Sequence, residues 1–390
     1  MLKTRAKSLP GSQKTVVIHV IGALAAGGAE RFVVSLLQTM TSPELDVRLL
    51  ALSNRSDVVG RRMLIRLKEA GISCDVGPTA KVGLATVLWY AAVIRKLSPG
   101  IVHLHTPNTE LCHFLAGGPW LPKIGVYRTL HNTANPSQRM TLLAYRFNKA
   151  ISSIACSDAV AVAARRLVVG DIVTITNGVD FEMPVRNGVN SSQYKAMLGW
   201  NAEAYHFIQV GRMSGESLGS AQKAHDVVLK AWRHGNFGKR GCVLHMVGDG
   251  NLRSALESIV AADSSVQFHG ICEDVPMRLL AADCFLMPSR YEGLPIAGIE
   301  AVGAGLPCVF TEIAPLQELR APVALWVPVN AFEALAEQMG KLVVGRPMPA
   351  EAETEEFRRL FSIARTADMY TRAYLERRTS AVSREQKACG

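Results

Sequence analysis

Residues 15–40, "TVVIHVIGALAAGGAERFVVSLLQTM", admit two readings, and the choice between them decides the fold. A basic leader, "MLKTRAKSLPGSQK" (1–14), precedes this apolar run of small residues, and the pair resembles a secretory signal peptide. The alternative is a first strand from Thr15 to Gly22, a glycine loop, and a helix from Glu30. The segment "ERFVVSLLQTM" favours the strand. Its apolar residues fall at helical spacing, and such an amphipathic helix needs a neighbouring strand to pack against.

The same strand–helix unit recurs along the chain. "VRLLAL", "IVHLH" and "SSIACS" read as strands in the first half, with amphipathic helices at Asp57–Ala70 and Ala85–Leu97 between them. A polar patch, "RNGVNSSQ" (186–193), reads as the linker. The alternation then restarts with "HFIQVG", "VLHMVG", "VQFHG", "CFLMP", "PCVFT" and "ALWVP". Strands apolar on both faces and joined by helices imply parallel sheets, hence two α/β, doubly wound, Rossmann-like domains facing across a cleft. Such folds bind ligands at the strand C-termini, which would line that cleft. The expected division is 1–185, 186–350, and a charged helical segment, 351–390, packing back on the first domain and ending in a loose tail.

Composition narrows the partners. The 390 residues carry a net charge of +10, with pI near 9.3, which favours an anionic partner. Aromatic residues are only 6% and no finger, RNP-type or basic-zipper motif occurs, so nucleic acid is not expected. Eight cysteines show no C-x-x-C pair and several sit in apolar runs, which fits a reducing cytoplasm without disulfides or a zinc site. After the first strand no apolar run reaches the ~20 residues of a membrane span.

The chemistry-bearing stretches lie at strand ends. "GALAAGGAER" puts Gly27 and Gly28 at a helix start, where backbone amides can approach a phosphate. It lacks the G-x-G-x-x-G and Walker patterns of nicotinamide and ATP sites. Arg212 follows the strand "HFIQV", and Lys223 stands where the next helix starts; together they could clamp a diphosphate. Asp249 in "GDG" and Asp274 in "EDV" read as turn and capping residues. In "SRYEGLPIAGIEAVGAGLPCV" (289–309), Pro295 opens an apolar helix and Gly305-Leu306-Pro307 closes it. Within that helix Glu300 is the only carboxylate, and it borders the face carrying Ile296, Ile299 and Val302. A carboxylate there needs hydrogen-bond donors, from a nearby cation or from a ligand's hydroxyls.

"GGAER", "NGVD" (177–180), "VGR" with a following Lys, "VGDGNLRSALE" and "PSRYEGLPIAGIEAVGAGLP" occur in this order and at about these distances. Together they resemble the retaining glycosyltransferases of family 4, group 1, which have the GT-B fold. The resemblance runs from about Val16 to Arg372 and is strongest in the E-x7-E pair, Glu292 and Glu300. It implies that Glu300 accepts hydrogen bonds from the ribose of a nucleotide-sugar and that Glu292 holds hydroxyls of the transferred sugar. The amides of Gly293, Leu294 and Ile296 would cradle the phosphates, with Arg212 and Lys223 as the diphosphate clamp. Gly27 and Gly28 would reach the donor from the opposite domain. His131, in "YRTLHNT", matches a histidine beside the donor sugar; His103 and His105 are given no catalytic role. One departure is the loop "MSGESLGSAQ" between Arg212 and Lys223, longer than in relatives, which raises Lys230 as a substitute.

The implied activity is a metal-independent, hexosyltransferase-type reaction from a nucleoside-diphosphate sugar to a lipid-linked or glycan acceptor, in surface polysaccharide or oligosaccharide assembly. It needs no cofactor beyond that co-substrate. The basic, apolar helices "VGRRMLIRLKEAG" and "VLWYAAVIRKLSPG" could rest on an anionic membrane surface, placing a cytoplasmic enzyme at the inner face of the membrane. Two rivals share the donor site: a GT-B-fold sugar-nucleotide epimerase, which would want further acid–base groups, and a non-catalytic nucleotide-sugar-binding partner, which need not keep His131 or Glu292. A dinucleotide-dependent dehydrogenase would need the glycine fingerprint that is missing.

Overall fold

A computed structural model describes residues 14–117, 124–133, 151–168 and 170–388. Its first sheet is built from β1 (Thr15–Leu24), β2 (Leu45–Ser56), β3 (Cys74–Val76), β4 (Ile101–Leu104), β5 (Gly125–Leu130), β6 (Ile151–Ala155) and β7 (Ile172–Thr174). The order is β3-β2-β1-β4-β5-β6-β7 and every pairing is parallel. The second sheet comprises β8 (Tyr205–Val210), β9 (Cys242–Val247), β10 (Val266–Gly270), β11 (Cys284–Met287), β12 (Cys308–Thr311) and β13 (Ala324–Val327). It runs β10-β9-β8-β11-β12-β13, again all parallel. Both sheets therefore repeat the doubly wound order, in which the sequence leaves the first strand in opposite directions and opens a crevice at the switch point.

The apolar runs form strands because both faces are covered. On β1, Val17 and Ile21 join one core layer while Ile18 and Val20 join the other. The first layer holds Phe32 and Leu36 of the Gly28–Thr39 helix together with Tyr370 and Tyr374 of the Ile363–Ala388 helix. The C-terminal helix thus completes the core of the first sheet. The second layer is closed by Tyr90 and Ile94 of the Leu84–Leu97 helix. In the second sheet Phe207 and Ile208 likewise divide between two layers.

The opening residues form a strand and helix as expected, with the strand extended to Leu24 and the helix starting at Gly28. Two expectations need correction. "RNGVNSSQ" is no open linker: residues 188–197 form a helix in which Asn187 and Asn190 cap each other's backbone N–H groups at 2.9 and 2.8 Å. Small polar residues suit a cap as well as a loop, so composition alone misread it. Pro295 is the N-cap of the Ile296–Gly303 helix, not its first residue. The short strands β3 and β7 were not anticipated, since three residues are too few for a hydrophobic period to show. The seven described cysteines are all free. Among the described residues no helix is long and apolar enough to cross a membrane.

Candidate functional site

The site is assembled where strand C-termini of the two sheets meet. His131 follows β5, Arg212 follows β8, and the Glu292–Pro295 loop follows β11 and leads into the Ile296–Gly303 helix. That loop is fastened to the first domain. Asn132 forms an antiparallel bridge with Gly293, and the Thr133 N–H donates to the Glu292 carbonyl at 3.3 Å. Ser157 Oγ donates to the Gly293 carbonyl at 3.2 Å, and Asn177 Nδ2 to that of Leu294 at 2.8 Å. Glycine is required at 293 because a Cβ would lie 2.0 Å from the His131 carbonyl oxygen. Leu294 is buried. The Ile296 amide, at the positive end of the helix, has no partner among the described residues.

The two glutamates have different partners. Glu292, 3% exposed, receives Lys223 Nζ at 2.6 Å on one oxygen and Gln222 Nε2 at 3.0 Å on the other. Glu300 pairs with Arg31 Nη2 of the first domain at 3.2 Å. The donor that the sequence demanded for Glu300 is thus available from the protein itself, across the cleft. The lengthened loop still returns Lys223 to the site, through Ala224 in the left-handed region at φ 50°. Lys230 instead faces Asp226 at 3.8 Å, and Asp226 is already held by Arg290. Lys230 is therefore not the substitute cation.

Gly27 caps the first helix, and the Cβ position of Gly28 lies 3.7 Å from Ile296 of the second domain, so the glycine loop abuts the start of the Ile296–Gly303 helix. Arg212 is exposed, and its charge opposes the rise that burial causes in the pKa of Glu30. His131 is half-buried, its ring edge-on to Phe32 and its Nε2 3.2 Å from His105 Nδ1. Burial pushes the His131 pKa down to about 4, so the ring is neutral.

Two hollows flank this assembly. One, of about 260 Å³, is lined by Arg31, Ile296, Glu300, Asp180 and Glu273 among others. The other, of about 800 Å³ and more open, is bordered by Glu292, Tyr291, Arg166, Arg290 and Arg320. The structure so brings together Gly27, Gly28, His131, Lys223, Gly293, Ile296, Glu292 and Glu300. Sequence reasoning missed Arg31, Gln222 and Asn177. Arg31 and Asn177 lie inside the stretches "GGAER" and "NGVD", so the sequence shows their motifs but not their partners.

The description "Glycosyltransferase Family 4" matches residues 26–183, and "Glycosyl transferases group 1" matches 204–344. EpsF of Bacillus subtilis (strain 168), which carries the name of a glycosyltransferase, is 27% identical over 361 residues, 83% of this chain and 89% of its own. The UDP-Gal:alpha-D-GlcNAc-diphosphoundecaprenol alpha-1,3-galactosyltransferase of Escherichia coli is 28% identical over 243 residues, 57% of this chain and 60% of its own. Among solved structures, Anabaena Alr3699/HepE in complex with UDP and glucose superposes with a TM-score of 0.74 at 15% identity, covering 92% of this chain and 99% of that one. This likeness establishes the two-domain GT-B architecture.

Proposed function

The chain belongs to the group 1, family 4 glycosyltransferases, and from that premise we propose that it moves a sugar from a nucleoside-diphosphate sugar to a lipid-linked or glycan acceptor, with retention of configuration, in surface polysaccharide or oligosaccharide assembly. The observation that carries the reading is the placement of Glu292 and Glu300 on either side of one helix N-terminus, each at a different hollow of the same cleft. The nucleoside lies in the smaller hollow, where its ribose hydroxyls replace Arg31 on Glu300. The transferred sugar lies by Glu292 and His131, between the two hollows.

Breaking the sugar–phosphate bond puts negative charge on the leaving diphosphate. Arg212, Lys223 and the Ile296 amide at the helix N-terminus offset that charge, the largest catalytic contribution expected for such a step. These groups supply the positive charge for a metal-independent departure of the diphosphate. Binding of the sugar competes for Glu292, and this frees Lys223 to turn to the phosphates. The larger hollow, with Arg166 and Arg320 exposed at its rim, suits an anionic acceptor head group, and the relative from Escherichia coli takes its acceptor on a diphosphate-linked lipid.

The membrane-facing surface is the Leu84–Leu97 helix with its neighbour Pro107–Leu115. Leu84, Leu88, Leu111 and Leu115 are 50–75% exposed, and Arg95 and Lys96 lie in the last turn of the first of these helices. The Val58–Glu69 helix serves less well, because Arg62 pairs with Glu273 across the cleft and Arg66 with Glu182.

A thermal-shift panel with UDP, GDP, ADP, dTDP, CMP and NAD tests the donor site. A ligand at 100 times its Kd adds about 2.7 kcal/mol to the folded state. One nucleoside diphosphate should stabilise wild type clearly more than Glu300→Ala. A shift with NAD alone, or with nothing, overturns the assignment.

A further inference from the structure

Seven side chains run as one hydrogen-bonded row from the C-terminal helix to the cleft. The Tyr370 hydroxyl meets Thr129 Oγ1 at 3.0 Å, and Thr129 Oγ1 meets His103 Nε2 at 2.7 Å. His103 Nδ1 lies 2.5 Å from the Tyr374 hydroxyl, which is 3.2 Å from His19 Nε2. His19 Nδ1 then meets His105 Nε2 at 2.9 Å, and His105 Nδ1 meets His131 Nε2 at 3.2 Å. Three of the six ring nitrogens of His19, His103 and His105, one from each, lie within 4.8 Å of one another, a spacing that could hold a metal ion. Each of those six nitrogens already has a hydrogen-bond partner, so the cluster reads as a relay of hydrogen bonds instead.

Burial keeps these imidazoles neutral: it lowers His19 to about 3 and His103 and His105 well below the usual histidine range. A neutral imidazole donates from one nitrogen and accepts at the other. Each contact therefore dictates the direction of the next. The row has seven groups with one mobile hydrogen apiece and six contacts to fill.

Tyr370 decides the direction. It is fully buried, and among the described residues its hydroxyl meets only Thr129. Were the row to run inward from the cleft, the buried Tyr370 hydrogen would have no acceptor among the described residues, which carries the full desolvation cost of an unpaired donor. Running outward, Tyr370 donates to Thr129, Thr129 to His103 Nε2, and His103 Nδ1–H to Tyr374. Tyr374 donates to His19 Nε2, His19 Nδ1–H to His105 Nε2, and His105 Nδ1–H to His131 Nε2. The seventh hydrogen is left on His131 Nδ1.

We infer that this row holds His131 as an Nδ1–H tautomer, so that it offers the cleft a hydrogen-bond donor and not a base, with Tyr370 as the distant positioning residue. That the donor meets an oxygen of the bound sugar nucleotide rests on the function proposed above. A second row in the other domain provides a contrast. Arg278 Nη1 reaches His269 Nδ1 at 3.1 Å, and His269 Nε2 and His245 Nδ1 are 2.9 Å apart. His245 Nε2 and His206 Nδ1 are 2.9 Å apart, and His206 Nε2 lies 2.7 Å from the Asn201 carbonyl. An arginine and a carbonyl fix its direction at both ends, whereas the first row is fixed at one end and presents the other to ligand.

Nitrogen-15 spectra of the full chain with labelled histidine, and no nucleotide, test this independently of the enzyme assignment. The signal of His131 is identified by its loss in His131→Asn. We expect Nδ1–H in wild type and in Thr129→Ser, which keeps the hydroxyl, and a mixture of tautomers in Tyr370→Phe. Nε2–H at His131 in wild type, or an unchanged tautomer in folded Tyr370→Phe, overturns the proposal. The wild-type spectrum decides even if Tyr370→Phe does not fold.

Discussion

Arg31 Nη2 stands 3.2 Å from Glu300 Oε1, joining the first helix of one domain to the helix of the other that borders the smaller hollow. The pair is one tenth exposed on the glutamate side, so it occupies the place where ribose hydroxyls are proposed to bind. Protein and ligand compete for the same carboxylate. Arg31→Ala should therefore enlarge the thermal shift given by the cognate nucleotide, while Glu300→Ala should weaken its binding roughly 10- to 100-fold, the worth of a hydrogen bond to a charged group. Calorimetric titration of both variants checks this, and a weaker nucleotide in Arg31→Ala would show that the arginine binds ligand instead.

Lys223 and Glu292 form a more buried charge pair than Arg31 and Glu300. Removing the lysine leaves a carboxylate without its cation, so Lys223→Met should cost about 3 kcal/mol of stability. Lys223→Met combined with Glu292→Gln should recover much of that loss, because no unpaired charge remains. Chemical denaturation of the four forms gives the coupling; additive losses would contradict the pairing.

Gly293→Ala drives a Cβ onto the His131 carbonyl. The loop must shift from the first domain, at a strain of ~1–3 kcal/mol. Transfer activity should fall more than a hundredfold while each domain stays folded, as amide exchange across the two sheets would report. Near-normal activity would mean that this contact is dispensable.

Stability should fall in mild acid. His19, His113 and His225 are held at about 3, 4 and 3 by burial, and the same groups titrate near 6.5 when unfolded. With a depressed folded pKa the stabilisation is complete above 6.5 and is lost as pH drops toward the folded values. At pH 5 a single fully buried histidine such as His19 withdraws roughly 2 kcal/mol. Unfolding midpoints measured from pH 7.5 to 5 should decline steadily; a flat profile would mean that these rings accept protons in the folded state.

Replacing Leu84 and Leu88 with Asp should reduce co-sedimentation with phosphatidylglycerol vesicles by at least ~10-fold, given ~1.5–3 kcal/mol for burying each leucine. Nucleotide binding should be unchanged. Equal sedimentation would remove this face as the membrane contact.

What was legible in advance follows the range of each signal. The alternation of apolar strands and amphipathic helices is written within windows of a dozen residues, so two parallel α/β units and the glutamates around "EGLPIAGIE" could be read directly. The polar patch after Val185 was misread because capping and looping use the same small residues, and only the helix that follows distinguishes them. Within "GGAER", the glycines could be recognised as a turn, but nothing nearby says that Arg31 reaches Glu300.

The sequence by itself determined the longer secondary elements, their parallel pairing and the local chemistry at each strand end, because propensity and hydrophobic period act between near neighbours. The tertiary structure alone decided which charges meet and which way hydrogens point. Lys223 reaches Glu292, Arg31 reaches Glu300, and β1, β4 and β5 lie side by side so that His19, His103, His105 and His131 form one row. Those pairings exist because doubly wound sheets set distant segments in register, and burial then makes each unsatisfied group too costly to leave alone.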